Sequence, residues 1–559
     1  MILNKLVYEE SSTALLFVVI GEGYATDITV RFYDAELPLL VNKPENIVCE
    51  IVIDSKFGGE IVNEIILTQD GILPGEGTGS RIFYSGTSSV LSSHTPSQAI
   101  HEGVRNVGGS QSFYCHPSYS IKKSEIAAIN SKMVFPMQAQ LVKGKNYFWV
   151  SFDLGVSVSL DTRFTLGLKG VIIDGKEFPI QKVKEKKVVH RTGYGLRQSG
   201  DNGVYSYRIP GLVTTNQGVL LAVYDVRHQT NIDLQEDIDI GMSRSLDGGK
   251  SWEPMKIIMD MGEYNGLPQS QNGIGDPAIL VDKQTNTVWV SAVWVHGLAN
   301  DRAWRSVRPG VNPEDGTGQI MLVNSTDNGL TWSEPINITP MVKSEDMTML
   351  LQGPGRGITM KDGTLVFPVQ YKSVKNKQKG EISIIYSKDH GTTWCRANSV
   401  STDEGVSEPQ IAEITPGVLM INARTSAPYR FVATTCDLGI NWKTHEASGK
   451  VLVEPGCMGS LLHIGKMQNI LKKELLLFSN SDFETERPSM SSRRNLTIKV
   501  SLDGGLNWPD RYRINLDEEQ GWGYSCLTQI DDRTIGILYE GSTAQMVFQR
   551  IQLEELIDK

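Results

Sequence analysis

One short motif occurs five times in the second half of the chain. Each copy reads Ser or Thr, any residue, Asp, any residue, Gly, any residue, a small polar residue and Trp, and successive copies are 48 to 80 residues apart. The five aspartates are Asp247, Asp327, Asp389, Asp437 and Asp503. An apolar segment with strand-like composition precedes every copy. A repeat of this length that holds several strands is typical of the blades of a β-propeller.

The residues of the motif predict a tight hairpin turn. An aspartate accepts hydrogen bonds from nearby backbone N–H groups, and a glycine takes the positive φ that such turns require. The final tryptophan is then free to pack between neighbouring strands. We therefore interpret the motif as structural. Its irregular spacing indicates long loops between blades, and loops of this kind usually carry the function.

Composition narrows the class of protein further. The 559 residues are enough for two or three domains, and 54 Gly and 23 Pro with little helical periodicity indicate mostly β structure. No apolar run approaches the roughly 18 residues of a membrane-spanning helix. The net charge of −10 argues against nucleic acid as a partner. The six cysteines lack the spacing of a metal site, so we predict no metal and no cofactor.

The repeated motif matches the Asp-box, and residues 188–559 resemble the bacterial exo-α-sialidases (neuraminidases). Asp-boxes also occur in other β-propellers, so five further segments carry the resemblance. The resemblance implies an all-β fold, with a six-bladed β-propeller over 188–559 in which one blade lacks the box. The alternating segment QMVFQRIQL (545–553) is expected to be its closing strand.

Three of these segments match the arginines that hold the substrate carboxylate in the family. YSYRIPGLV supplies Arg208, and the Asn-Ala-Arg sequence after a Glu-x-Gln strand supplies Arg424. The third arginine precedes the strand that leads to the last Asp-box. Its spacing from that strand selects Arg493 over the adjacent Arg494, with Arg487 as a weaker alternative.

The loop DVRHQTNIDLQED (225–237) matches the segment that carries the acid/base aspartate of the family. The match selects Asp233, and Arg227 would support it in the same pocket. Asp237 and Asp239 are the nearby alternatives. In GIGDPAIL, Asp276 is a candidate contact to a sugar hydroxyl, and an ordinary role in a strand turn is equally open.

The fifth segment matches the nucleophile, and the Glu-x-Gln strand that precedes Arg424 matches its activating base. In GVSEPQI the resemblance implies that Glu408 activates the nucleophile, and Glu404 and Glu413 lack its Pro-Gln sequel. In GWGYSCL it implies that Tyr524 is the nucleophile. Other candidates for the pocket wall or rim are Trp294, His296, Trp304, Gln352 and Arg356.

The first 185 residues contain no Asp-box. Segments such as TDITVRFYD, VCEIVID and KNYFWVSFDL read as strands, and 123–133 reads as one short helix. We predict a β-sandwich domain over 1–185, joined through the charged run KVKEKKVVHR to the propeller domain over 188–559. A carbohydrate-binding role and a spacer role are both open for it. Candidate sugar-stacking side chains are Tyr84, Tyr114, Tyr119, Tyr147, Phe148 and Trp149.

The resemblance predicts a retaining exo-α-sialidase that releases terminal sialic acids through a tyrosyl-linked intermediate. Its substrates would be sialylated glycoproteins, glycolipids and oligosaccharides. Two alternatives stay open: a propeller that binds sialic acid without turnover, and a trans-sialidase that uses the same residues. We expect a secreted or periplasmic protein. The opening residues MILNKLVYEESS do not resemble an export signal, which is then expected to have been removed.

Overall fold

A computed structural model describes residues 27–71, 79–87, 89, 132–182 and 187–557, apart from residues 235, 265, 297–306, 378, 401, 404, 486 and 487. Within these ranges the chain is nearly all β. The helices are short: α1 (Thr339–Val342), α2 (Leu553–Ile557) and the 3₁₀ turns Asp201–Gly203, Gln269–Gln271, Pro313–Asp315, Met490–Ser492 and Asp510–Tyr512. None of the helices in this described part is long and apolar enough to cross a membrane.

The N-terminal part forms two packed sheets. Its strands are β1 (Ile28–Asp34), β2 (Pro38–Leu40), β3 (Asn46–Ser55), β4 (Ile61–Gly71), β5 (Gly79–Tyr84), β6 (Lys132–Gln140), β7 (Gly144–Asp153), β8 (Arg163–Ile173), β9 (Lys176–Phe178), β10 (Ile180–Lys182) and β11 (His190–Arg197). One sheet has the order β10-β1-β3-β7-β5, and the other contains β11-β8-β4-β6. Side chains alternate between buried and exposed along β6, as a strand with one covered face requires. The inward faces of both sheets share one apolar core, as predicted for a β-sandwich.

The aromatic candidates of this part divide between core and surface. Tyr84 and Phe148 are buried and stack on each other with ring centroids 4.5 Å apart. Tyr147 and Trp149 are half-buried on the outer face of β7, with ring centroids 6.5 Å apart. Tyr114, Tyr119 and nearly all of the predicted helix 123–133 lie outside the described residues. The sugar-binding role of this domain stays a prediction.

Six four-stranded antiparallel sheets follow. Blade one is β12–β15 (Ser206–Thr214, Leu220–Arg227, Ile238–Ser245, Lys256–Met259), and blade two is β16–β19 (Asn272–Val281, Val288–His296, Gln319–Ser325, Ile336–Asn337). Blade three is β20 with β23–β25 (Met347–Gln352, Leu365–Ser373, Glu381–Ser387, Cys395–Arg396). Blade four is β26–β29 (Val406–Thr415, Val418–Thr425, Phe431–Thr435, Lys443–Thr444). Short β21 (Gly355–Arg356) and β22 (Ile358–Thr359) follow β20, and blade five is β30–β33 (Ser460–Ile464, Leu475–Ser481, Leu496–Ser501, Arg513–Asp517). Each blade contacts the next, and the sixth contacts the first, which closes a propeller.

Blade six is completed by a strand from far upstream. It consists of β34 (Ser525–Gln529), β35 (Thr534–Tyr539) and β36 (Met546–Gln552), and β11 adds the outer strand antiparallel to β36. The segment 545–553, which we expected to close the propeller, thus forms the third strand of blade six, and β11 closes the blade as its fourth strand. Because β11 also pairs with β8, the last blade and the second sandwich sheet form one continuous sheet. The exact domain limits stay predictions.

The Asp-boxes lie between the third and fourth strands of blades one to five, and blade six carries none. In the second box Asp327 accepts hydrogen bonds from Ser325 Oγ at 2.7 Å and from Thr331 N at 2.9 Å. Burial opposes the charge, but these hydrogen bonds lower the pKa of Asp327 to about 2. Gly329 has a φ of 81°, the left-handed conformation that favours glycine. The predicted turn chemistry is therefore present.

Candidate active site

A cavity of about 360 Å³ opens where the first strands of the blades begin and their second strands end. In an antiparallel sheet this edge lies opposite the turn between the third and fourth strands, so the Asp-boxes are at the far edge of the propeller. The cavity is lined by Arg208, Asp233, Gln370, Tyr371, Lys372, Gly380, Val406, Ser407, Glu408, Arg424, Met490, Arg493, Trp522 and Tyr524. All six predicted catalytic and carboxylate-binding residues are among them.

A shared backbone irregularity presents several of these groups. In the innermost strands of blades one, two and four, the residue before a proline has a left-handed φ: 61° at Ile209, 56° at Asp276 and 39° at Glu408. The register of the ladder shifts at each of these positions. A bulge re-aims the neighbouring side chains, and backbone strain of this kind concentrates at functional sites. The irregularity occurs next to Arg208 and at Glu408 itself.

Tyr524 and Glu408 form a hydrogen-bonded pair on the cavity wall. The Tyr524 hydroxyl donates to Glu408 Oε1, and Arg424 Nη1 donates to Glu408 Oε2 at 2.8 Å and to the Tyr524 oxygen at 3.4 Å. Burial and the Glu408 charge raise the pKa of Tyr524 well above its ordinary value. Burial acts against the Glu408 charge, but Arg424 and the tyrosine hydrogen bond lower its pKa. The resting pair is therefore a neutral phenol facing a carboxylate.

Three guanidinium groups surround this pair. Arg424 bridges it, Arg208 lies 5.5 Å from the Tyr524 ring centroid, and Arg493 lies 5.6 Å from it. Arg493 is fixed because its two Nη atoms donate to the carbonyls of Trp522 at 3.0 Å and Gly456 at 2.7 Å. Three guanidinium groups therefore converge on one small volume.

The adjacent arginine takes a different direction. Arg494 lies 5.8 Å from the ring of Phe483 and is not among the residues that line the cavity. The structure thus brings Arg493, and not Arg494, to the other predicted groups. Arg487 lies outside the described residues.

Two residues that sequence reasoning missed support the arginines. The buried carboxylate of Glu540 accepts hydrogen bonds from Arg208 Nε at 2.6 Å, from Ile209 N at 2.9 Å and from Tyr524 N at 3.1 Å. The guanidinium of Arg208 lies 3.9 Å from the Trp522 ring centroid, a cation–π contact. Glu540 directly follows β35, and Trp522 lies in a loop outside the Asp-boxes. Only the Gly-Trp-Gly-Tyr sequence next to the predicted nucleophile offered a signal for Trp522.

Asp233 lies on the cavity wall next to Arg208. Arg227 Nη1 donates to Asp233 Oδ1 at 2.7 Å, and Arg208 Nη1 is 4.0 Å from the same oxygen. About half of the Asp233 side chain, 53%, is exposed. Burial acts against its charge, but Arg227 and then Arg208 hold the pKa of Asp233 below its ordinary value. Arg227 itself is buried behind Asp233 and is not part of the cavity wall.

The alternatives for the acid/base and the activating glutamate lie elsewhere. Asp239 is inside β14 and accepts a hydrogen bond from His228 at 2.8 Å, and Asp237 directly precedes that strand. Glu413 accepts hydrogen bonds from backbone N–H groups at the other end of β26. Glu404 lies outside the described residues.

The remaining candidates that the structure describes do not line the cavity. Asp276 is 8% exposed, its N–H donates to Asp225, and burial with the charges of Asp225 and Asp233 raises its pKa well above the ordinary value. Its contact to substrate stays a prediction. Trp294 is buried against Tyr264 with ring centroids 4.6 Å apart, and Trp304 lies outside the described residues.

Three further candidates are fixed by hydrogen bonds to backbone. His296 Nε2 bonds to the carbonyl of Pro313. Gln352 is buried and donates to the carbonyl of Asp276. Arg356 donates to the carbonyl of Leu527 at 3.1 Å, and none of the three lines the cavity.

One group among the described residues has the composition of a metal site. His228, Asp237 and Asp239 have ligand atoms within 4.8 Å of one another. Asp239 is already bonded to His228, and exposed acidic groups are common without an ion. The sequence-based prediction that no metal is used stays a prediction.

Known proteins share both parts of this chain. Residues 209–503 match the BNR repeat-like domain, and residues 25–177 match the N-terminal domain of BNR-repeat neuraminidase. A sialidase of Bacteroides fragilis (strain YCH46) is 43% identical over 531 residues, which is 95% of either chain. A sialidase of Micromonospora viridifaciens is 30% identical over 359 residues, covering 63% of this chain and 52% of that protein. The solved structure of the Hadza microbial sialidase Hz136 superposes with a TM-score of 0.84 at 42% identity and covers 94% of this chain and 100% of its own.

These matches, with an all-β propeller and a pocket lined by charged side chains, define a glycoside hydrolase. Within that class the chain belongs to the sialidase (neuraminidase) family with BNR repeats. The family and the all-β fold predicted from the sequence are confirmed.

Proposed function

We propose that this enzyme hydrolyses terminal α-linked sialic acids from glycoproteins, glycolipids and oligosaccharides, with retention of configuration and through a tyrosyl-linked intermediate. The observation that carries the proposal is the hydrogen bond from the Tyr524 hydroxyl to Glu408, made beside three guanidinium groups in one cavity. The named relatives are sialidases, which supports the substrate class.

The arginines fit the one feature that distinguishes sialic acid from most sugars. Its anomeric carbon carries a carboxylate, and guanidinium groups bind carboxylates with paired, charge-assisted hydrogen bonds. Arg208, Arg424 and Arg493 converge near the Tyr524 ring, so a bound carboxylate would hold the anomeric carbon over the phenol oxygen.

A tyrosine suits this substrate better than a carboxylate nucleophile does. A second carboxylate would be repelled by the carboxylate of the substrate, whereas a phenol is neutral until it reacts. In the first step the Tyr524 oxygen bonds to the anomeric carbon, its proton passes to Glu408, and the bond to the leaving oxygen breaks. Sialidases with a tyrosine nucleophile are a recognised exception to the two-carboxylate scheme of glycosidases.

Asp233 would supply and then recover the second proton. It protonates the leaving oxygen in the first step, and in the second step it takes a proton from the attacking water. As water bonds to the anomeric carbon, the bond to Tyr524 breaks and Glu408 returns its proton to the phenol. In the free enzyme Arg227 and Arg208 keep Asp233 ionised. A substrate carboxylate that pairs with Arg208 would weaken this effect and raise the proton affinity of Asp233.

Product analysis from sialyllactose tests the proposal. We expect proton NMR to show the α-anomer of free sialic acid first, followed by mutarotation. Release of the β-anomer first would contradict retention. Transfer of the sialyl group to added isotopically labelled lactose would favour a trans-sialidase, and binding without any product would favour the non-catalytic alternative.

A secreted or periplasmic location is part of the proposal, because glycoproteins and glycolipids present their terminal sugars outside the cytoplasm. Fractionation of the natural host followed by an activity assay tests it. Activity confined to the cytoplasm would contradict it.

A further inference from the structure

A buried carboxylate outside the cavity joins the acid/base aspartate to the neighbouring blade. Asp225 lies near the end of β13 and is 0% exposed. Its Oδ2 accepts two hydrogen bonds from Arg227, from Nη2 at 2.7 Å and Nε at 3.1 Å. The remaining Arg227 nitrogen, Nη1, donates to Asp233 at 2.7 Å. One guanidinium is therefore shared between a buried carboxylate and the carboxylate that faces substrate.

The second oxygen of Asp225 reaches the next blade. Oδ1 accepts the N–H of Asp276 at 2.8 Å, at the residue whose φ is 56°. Gly275 leaves room for this contact, because a Cβ at that position would lie 3.3 Å from both carboxylate oxygens and 2.9 Å from Leu234. Both acceptor atoms of Asp225 are thus used, one for Arg227 and one for the bulge of β16.

We propose that Asp225 is a positioning residue for catalysis, which orients Arg227 and balances its charge so that Asp233 can act as an acid. The proposal rests on the acid/base role proposed for Asp233. Without the two contacts to Asp225, the Arg227 guanidinium has no carboxylate partner among the described residues except Asp233.

The expected effect on proton affinity has a definite sign. Asp225 and Asp276 are negative or potentially negative neighbours of Asp233, whereas Arg227, Arg208 and Arg493 are positive ones. Burial raises the pKa of Asp225, and the charge and two hydrogen bonds of Arg227 oppose that rise and favour the ionised form. Removing that charge leaves Arg227 to act on Asp233 alone and lowers the proton affinity of Asp233. With a lower pKa, a smaller fraction of Asp233 is protonated above the optimum pH, so less of the enzyme can donate the proton.

The test compares Asp225→Asn with Asp282→Asn. Asp282 is also buried and bonded to its own loop, at 2.9 Å to Gln284 N, but it lies at the Asp-box edge of the propeller. For Asp225→Asn we expect kcat/KM on sialyllactose to fall at least about 10-fold, and on an aryl sialoside less than about 3-fold, because an aryl leaving group needs little protonation. In a plot of kcat on sialyllactose against pH, the decline on the basic side should move to lower pH by about half a unit or more. The control should show neither change.

Asp233→Ala is measured in the same series to separate two failures. If it shows strong dependence on the leaving group and Asp225→Asn shows none, the positioning role is wrong and the acid/base assignment stands. If Asp233→Ala shows no such dependence, the acid/base assignment fails and the positioning role fails with it. Asp225→Ser, which keeps an acceptor for the N–H of Asp276, is prepared as a second variant. Failure of both variants to fold would also reject the proposal, since it requires a folded enzyme with an altered acid.

Discussion

Single charged groups in this site have their proton affinity set by close neighbours. Glu408 faces Arg424 and a phenol, and Asp233 faces Arg227 and Arg208, so both carboxylates are ionised in the free enzyme. That suits Glu408, which must accept a proton, and it disfavours Asp233, which must first donate one. Asp233 can therefore act as an acid only after the substrate carboxylate pairs with Arg208 and so raises the proton affinity of Asp233.

Replacing Asp233 should affect substrates according to their leaving groups. Asp233→Ala removes the proton donor, so we expect a large loss of kcat on sialyllactose and a much smaller loss on an aryl sialoside. In the wild-type enzyme, kcat on sialyllactose should decline as pH rises through the pKa that Asp233 has in the substrate complex, because only the protonated form can donate. The check is steady-state kinetics on both substrates across pH. Equal losses on both substrates would remove Asp233 from the acid/base role.

The two adjacent arginines give a matched pair. Arg493→Ala removes a charge-assisted contact of about 1.5–3 kcal/mol, so binding of a sialic acid analogue should weaken by about 10- to 150-fold. Arg494→Ala should change binding less than about 3-fold, because that side chain lies against Phe483. Titration calorimetry with an unsaturated sialic acid analogue measures both. The reverse order of effects would show that the wrong arginine faces the carboxylate.

At the level of strands and turns, the sequence predicts best those features that depend only on residues close together in the chain. The Asp-box turns follow from Asp, Gly and Trp within eight residues, and all five are present where predicted. The spacing to Leu496 in the following strand selects Arg493 over Arg494, and Arg493 is the one of the two that lines the cavity. These features need no knowledge of distant contacts.

An Asp-box substitution should affect stability and leave chemistry intact. Asp327→Ala removes hydrogen bonds from Ser325 and Thr331, so we expect a loss of about 1–2 kcal/mol, reduced by solvent at this exposed turn. Because the folded pKa of about 2 lies below the ordinary value near 3.9, this stabilisation is present above about pH 4 and is lost as pH falls towards 2. Denaturant unfolding at pH 7 and pH 3 measures both effects.

The control for this variant is Asp510→Ala, at a side chain that is 91% exposed. It should change the free energy of unfolding by less than about 0.5 kcal/mol. A normal melting curve for Asp327→Ala with a large loss of turnover would place the Asp-box edge at the chemistry and contradict the account of the fold.

At the scale of the whole molecule, contacts between residues far apart in the chain could not be predicted from the sequence. Nothing local to β11 shows that it closes blade six by pairing with β36, more than 340 residues away. Glu540 is equally unremarkable in sequence, although it holds Arg208 and the backbone of Tyr524. Such roles arise when separate strands converge, so a motif read along one segment cannot contain them.

The shared sheet predicts one cooperative unit. Arg163 on β8 pairs with Glu555 of α2 at 3.0 Å, and Arg550 on β36 pairs with Asp161 at 3.0 Å. One apolar core also extends from the sandwich to Phe548 of blade six. We expect calorimetry of the full chain to show a single unfolding transition. Two well-separated transitions would show that the sandwich and the propeller unfold independently.

The proposed mechanism requires that Tyr524 forms a covalent bond to the sugar. A 3-fluorosialyl fluoride should form that bond quickly and release it slowly, because fluorine beside the anomeric carbon destabilises the oxocarbenium-like transition state of each step. Its good leaving group keeps the first step accessible. The enzyme is incubated with this reagent and digested, and the labelled peptide is identified by mass spectrometry. Tyr524→Phe is the control: it should still bind sialic acid through the arginines, lose turnover by about three orders of magnitude or more, and stay unlabelled. We predict one fluorosialyl group on Tyr524 of the wild-type enzyme. A label on Glu408 or Asp233 instead, or near-normal turnover by Tyr524→Phe, would contradict the mechanism.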